Sequence, residues 1–230
     1  MPFDADALDA TRQPPRPVLL RGAVAPYSFA RLVEDYPGAT VLLTRDDVAG
    51  SEVNETVPLG EYARVLARAG HRCADAAGLR CFELREHGGA LFAREHPRLI
   101  DELGLRALVP AGFRDALARW FNGYQFVLWA AAAGAATSLH ADVIPGNVLA
   151  QLDGRKRVRA YAPEARELLY MAYDPENRED VSAVDPRAPD LSRFPLFASA
   201  APLVFELEPG DALALPCAAQ SPHLLSRNEA

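Results

Sequence analysis

Residues 137–163 read TSLHADVIPGNVLAQLDGRKRVRAYAP, and the short apolar runs inside them decide the fold. LHAD, NVLAQL and RKRVRAYA are each rich in strand-forming residues, and Pro145-Gly146 and Asp153-Gly154 break them apart as turns. The same texture extends outward from Gly123 in YQFVLWA (124–130), PLVFELE (202–208) and DALALP (211–216), with Pro209-Gly210-Asp211 as a sharp turn between the last two. Several short strands spaced by turn residues predict an all-β barrel or sandwich. Residues 171–200 interrupt it as a long polar insertion containing Pro175, Pro186, Pro189 and Pro195, and Asp174 to Ser199 are a candidate lid.

Upstream the pattern is mixed. RPVLLRG (16–22), VLLT (41–44) and LRCFELRE (79–86) read as strands, and Asp46 to Thr56 as a polar loop. APYSFARLVEDYPG (25–38) spaces Phe29, Leu32 and Val33 on one helical face and stops at Pro37-Gly38. PLGEYARVLARAG (58–70) places Leu59, Tyr62, Val65 and Leu66 on another, with Gly70 as its cap. Further helices are expected over Pro97 to Leu103 and Ala111 to Phe121. These apolar stripes read as core packing, as do Trp120, Tyr124 and Trp129. The fold class is therefore mainly β with α (α+β). Residues 1–15 form a flexible N-terminal segment, 16–122 an α/β part and 123–230 the β core.

The 230 residues suit one large domain, and half of them are hydrophobic, enough for a core. A formal net charge of −7 argues against a chain built to coat phosphate backbones, so no nucleic-acid partner is expected. Cys73, Cys81 and Cys217 contain no CxxC pair, which excludes a disulfide framework and a zinc ribbon. The longest small or apolar run, Val127 to Ala136, is too short to span a bilayer, and the acidic N-terminus has no leader character. A cytoplasmic protein with no membrane partner is the expectation.

His140 and Asp142 form an HxD pair in a strand-like context, so both side chains can reach one ion from the same face. Alone the pair is weak, because five His and this Asp content give about 0.3 such pairs by chance, and a surface His beside a solvated Asp explains it equally well. The residues at fixed offsets carry more weight. Asn147, Gln151, Gly154 and Lys156 follow, and His223 lies beyond the DALALP strand. Two histidines and one carboxylate on a β-barrel are the ligand set of a non-haem Fe(II) oxygenase, which leaves three coordination positions open. Of 24 basic residues Lys156 is the one lysine; a GC-rich coding sequence accounts for the arginine bias but not for where the lysine sits. Arg155, Arg157 and Arg159 alternate with the neighbouring residues and are expected to face solvent or a carboxylate.

The stretch LWAAAAGAATSLHADVIPGNVLAQLDGRKRVRAYAP (128–163), followed by FPLF (194–197), LVFELEPGDALALP (203–216) and Pro222-His223, resembles the JmjC-like, cupin-like (cupin-8) branch of the Fe(II)/2-oxoglutarate-dependent dioxygenases, related to the asparaginyl hydroxylase that inhibits hypoxia-inducible factor. The close resemblance covers about residues 123–225. It implies a double-stranded β-helix (jelly-roll/cupin) core with Fe(II), 2-oxoglutarate and O₂ as cofactor and cosubstrates. Residue by residue, it implies His140, Asp142 and His223 as metal ligands. Lys156, in the Gly154-Arg155-Lys156-Arg157 context, and Thr137 match groups that hold the far carboxylate of 2-oxoglutarate; Asn147 matches a polar residue near it. The implied reaction is hydroxylation of a protein or peptide side chain, or of a small molecule, with release of succinate and CO₂.

The resemblance has departures. Cys217-Ala-Ala-Gln-Ser-Pro-His lacks the bulky aromatic that relatives place before the distal histidine, and Asn228 falls where a short turn is expected. Relatives continue with one or more strands that complete the sheet, often with material for dimerisation, whereas this sequence stops seven residues past His223. An unpaired edge near the metal site and missing C-terminal strands are the expected result. A catalytically degenerate metal-binding or protein-interaction module is therefore the alternative function, and a homodimer is compatible with the resemblance.

Overall fold

The strand-forming runs of the C-terminal half pair as two antiparallel sheets laid face to face. The structure is a computed structural model describing residues 17–46, 52–68, 82–85, 96–108, 126–131, 133–134, 136–141, 146–175, 179–216 and 223–229. Its strands are β1 (Val18–Leu20), β2 (Thr40–Asp46), β3 (Glu52–Pro58), β4 (Phe82–Arg85), β5 (Trp129–Ala131), β6 (His140–Ala141), β7 (Gly146–Ala150), β8 (Arg155–Tyr161), β9 (Met171–Asp174), β10 (Glu179–Ser182), β11 (Leu203–Leu207), β12 (Ala212–Pro216) and β13 (His223–Glu229). The helices are α1 (Phe29–Asp35), α2 (Leu59–Arg68) and α3 (Pro97–Glu102).

One sheet has the order β1-β12-β7 and the other β11-β8-β13-β6-β10-β9. The chain crosses between them repeatedly: β6, β8, β11 and β13 lie in the larger sheet, β7 and β12 in the smaller. That alternation is the winding of a jelly roll. Between the sheets Val158 and Ala160 of β8 and Leu207 of β11 meet Leu213 and Leu215 of β12, with Leu19 and Leu149 alongside. DALALP forms the middle strand of the smaller sheet because both of its faces are apolar: Leu213 and Leu215 fill the inter-sheet core, and Ala212 packs with Val24 and Leu108 on the other side. The outer face of the larger sheet carries a second cluster of Leu139, Tyr161, Leu169, Val184, Phe194 and Phe197.

The N-terminal part adds a four-stranded sheet, β3-β2-β4-β5, backed by the helices. Ser28 caps α1 by accepting the Arg31 N–H at 3.2 Å. Leu32, Leu59, Tyr62, Leu66, Leu99 and Leu103 bury their apolar faces against Val41 and Val57.

Four expectations are corrected. Asp46 to Thr56 is not wholly a loop: β3 pairs with β2 from Thr40 opposite Pro58 to Asp46 opposite Glu52. Glu and Asn are poor strand formers, and pairing in the sheet outweighs that preference. The polar insertion is built into the fold rather than hung over it as a lid. β9 and β10 extend the larger sheet beyond β6, and Phe194 and Phe197 pack on Leu139 and Tyr161. Trp129 is 42 % exposed, so it is not barrel packing. Asn228 lies within β13, opposite Lys156, rather than in a turn, and β13 is paired on both sides, with β8 and β6. Residues 1–15 and the expected helix over 111–121, with Trp120 and Tyr124, lie outside the described residues.

Candidate metal centre

Leu139 is fully buried in the outer cluster, which turns its neighbour His140 to the opposite side of the strand, toward the smaller sheet. The register supports this. Residue 224 lies opposite both His140 on β6 and Ala160 on β8, and Ala160 belongs to the inter-sheet core. Directly opposed residues in antiparallel strands share a face. His140 is half-buried there, with its Nδ1 2.8 Å from the Ser138 carbonyl oxygen. A carbonyl only accepts, so Nδ1 carries the proton and the lone pair sits on Nε2. That is the tautomer and ring orientation a metal-binding histidine takes from its supporting hydrogen bond.

Lys156 lies on β8 two and four residues before Val158 and Ala160, on the same inward face, opposite the fully buried Leu207. Asn147 approaches from the other sheet, on β7 opposite Leu215 and two residues before Leu149, again on the inter-sheet side. Both are half-buried. Thr137 is half-buried in the segment leading into β6, three residues before His140. The two sheets thus place His140, Lys156 and Asn147 on the faces that look across the inter-sheet core. His223 begins β13, the strand paired with β6, but the register sets residue 223 opposite Tyr161 of the outer cluster and residue 224 opposite His140, so this pairing does not bring position 223 to the face His140 occupies. Asp142 lies outside the described residues. Among the described residues no group of three or more His, Cys, Asp or Glu side chains gathers at one point. Of the three expected ligands, His140 is the one whose side chain lies among the described residues, and it offers one imidazole nitrogen to such a centre.

On the outer face of β8 the arginines are satisfied in other ways. Arg157 pairs with Glu206, and Arg159 donates to the Pro186 carbonyl at 3.1 Å. Burial pushes the Tyr161 phenol up, partly opposed by Arg159, so it stays neutral. The turns at the end of the site are held by contacts that sequence inspection missed. Asp211 accepts the N–H groups of Gly22 at 3.2 Å and Glu208 at 3.0 Å and pairs with Arg21. Burial alone would raise its carboxyl; the two N–H groups and Arg21 outweigh burial and hold it below the usual range. The Asp after Pro-Gly is the one signal that pointed there, and it indicated only a turn.

Two facing antiparallel sheets wound as a jelly roll, with an oriented histidine and an inward lysine between them, define a cupin-type barrel. Residues 75–218 match the cupin-like domain family, and the chain belongs to it. Among curated relatives, HSPB1-associated protein 1 of Bos taurus is 36 % identical over 96 residues, 41 % of this chain and 20 % of that protein. Lysine-specific demethylase 8 of Xenopus tropicalis is 38 % identical over 88 residues, 38 % of this chain and 19 % of that one. tRNA wybutosine-synthesizing protein 5 of Danio rerio is 32 % identical over 168 residues, 71 % of this chain and 48 % of that one. The chain thus spans a fifth to about half of the length of these relatives. The crystal structure of E. coli ycfD superposes with a TM-score of 0.50 at 17 % identity, covering 99 % of this chain and 50 % of that one, a likeness of fold. No helix among the described residues is long and apolar enough to cross a membrane.

Proposed function

We propose that this chain is a cytoplasmic Fe(II)- and 2-oxoglutarate-dependent oxygenase that hydroxylates a protein or peptide side chain, or a small molecule. The observation that carries the reading is His140, turned between the sheets with Nδ1 donating to the Ser138 carbonyl, so that Nε2 carries the lone pair. His140, Asp142 and His223 would hold the iron. With 2-oxoglutarate and O₂ it supplies the oxidising chemistry that yields succinate, CO₂ and a hydroxylated product.

The chain's own residues bind and orient. Lys156, on the inward face of β8 beside Val158 and opposite Leu207, would set its ammonium group against the far carboxylate next to apolar side chains, where such a pair interacts more strongly than in water. Thr137 offers a hydroxyl donor to the same carboxylate, and Asn147 an amide from the facing sheet. The name of one relative suggests tRNA as a substrate, but the net charge of −7 favours a protein or small molecule.

Succinate release that requires both Fe(II) and 2-oxoglutarate tests the proposal. His140→Ala is expected to abolish it, and a variant that keeps wild-type turnover would overturn the reading. A second reading, a metal-binding or protein-interaction module without turnover, is favoured by the register that sets residue 224 rather than 223 opposite His140. Weak Fe(II) binding together with inert 2-oxoglutarate would select it.

A further inference from the structure

The turn that delivers Lys156 is tied to the N-terminal part of the chain by the packing of Leu152 and by the hydrogen bonds of Asp153. Its Oδ2 accepts the N–H of Phe29, the first residue of α1, at 2.7 Å, and its Oδ1 accepts the N–H of Gly154 at 2.9 Å. Gln151 closes the turn from inside, its Nε2 donating to the Asp153 carbonyl at 2.6 Å. Gly154 follows at φ +64°, a conformation that costs a side-chain-bearing residue, and β8 starts one residue later. The backbone adds one more tie to that part, Tyr27 N–H donating to the Leu152 carbonyl at 3.0 Å, and one to the β11–β12 turn, Gln151 N–H donating to the Asp211 carbonyl at 2.8 Å.

Helix α1 does not need Asp153 for its own start, because Ser28 already caps it locally. A second acceptor from 124 residues away does something else: it fixes the distance between the helix end and the β7–β8 turn. Lys156 is the third residue after Asp153, and a long flexible side chain reaches a carboxylate well only if its Cα is held. We infer that Asp153 is a positioning residue for 2-oxoglutarate, acting through the placement of Lys156, and that it couples the seating of α1 to the cosubstrate site. This inference rests on the assignment of Lys156 under Proposed function.

The test compares the full-length wild type with Asp153→Ala, Asp153→Asn and Lys156→Ala. Both bonds made by Asp153 are solvent-exposed, so water replaces the carboxylate and the fold survives its removal. Two quantities are read: KM and kcat for 2-oxoglutarate by succinate release, and 2-oxoglutarate binding to the Mn(II)-loaded protein, which needs no turnover. Asp153→Ala is expected to raise both KM and the dissociation constant about tenfold with kcat within about twofold. Asp153→Asn, which keeps an acceptor oxygen, is expected to recover part of the loss. Wild-type values in Asp153→Ala beside a weakened Lys156→Ala would overturn the inference and leave the cosubstrate assignment standing. A parallel fall in kcat and thermal stability would overturn it too, by showing a merely structural role. If Lys156→Ala itself binds 2-oxoglutarate normally, the assignment of Lys156 falls and this inference falls with it.

Discussion

Replacing Asp211 by alanine tests how the barrel's turns are held. The carboxylate is buried between β1 and the β11–β12 turn, where it accepts the Gly22 and Glu208 N–H groups and pairs with Arg21. Removing it orphans two partly buried backbone donors, at about 1–2 kcal/mol each. The Arg21 side chain is 60 % exposed, so losing its ion pair adds less than about 1 kcal/mol. The expected loss is about 2–4 kcal/mol, which in a domain of this size lowers Tm by roughly 5–15 °C. Urea unfolding followed by far-UV circular dichroism measures it. The pH dependence has a definite sign. Asp211 titrates below its ordinary value in the folded protein, so its contribution is complete above about pH 4, the unfolded range, and fades as pH falls through the folded value. The gap between wild type and variant must therefore narrow on acidification. A gap under about 0.5 kcal/mol at pH 7, or one that widens in acid, would refute the reasoning.

Two further outcomes concern the metal site. Leu139→Ala empties a fully buried position under Tyr161 and Phe197 and should cost about 2–5 kcal/mol in chemical denaturation, while binding of Fe(II) to the surviving folded fraction persists. Saturating Fe(II), at about a hundredfold over its dissociation constant, should stabilise the wild type by about 2.7 kcal/mol; chelator should reverse this, and His140→Ala should not show it. A thermal shift of equal size in His140→Ala would remove that residue from the ligand set.

The barrel strands were largely legible because turn residues punctuate them. Asp153-Gly154 and Pro209-Gly210-Asp211 each fall between strands of the structure, and Gly146 opens β7. VLLT marks β2, but β3 falls in the segment that reads as a polar loop because Glu52, Asn54 and Glu55 disfavour strands locally, and the partner strand that outweighs them is visible only in the sheet. The insertion reads as a candidate lid because prolines and charges dominate its composition, whereas Val184, Phe194 and Phe197 decide its packing. Trp129 was assigned to the core from its chemistry, but the fold leaves it at the outside of β5.

The sequence alone determined the residue types and spacings on which the resemblance rests: an HxD pair, a lone lysine after a Gly turn, and a histidine beyond the last barrel turn. These are local or additive features, and a linear text carries them. Tertiary structure decided their orientation. Only the pairing of β6, β8 and β13, with Leu139 buried on one side and Ala160 on the other, turns His140 and Lys156 to the same face. Only folding brings the Ser138 carbonyl onto Nδ1, the N–H of Phe29 onto Asp153 and that of Gly22 onto Asp211. Such contacts depend on backbone direction across long sequence separations, and no residue's identity encodes that by itself.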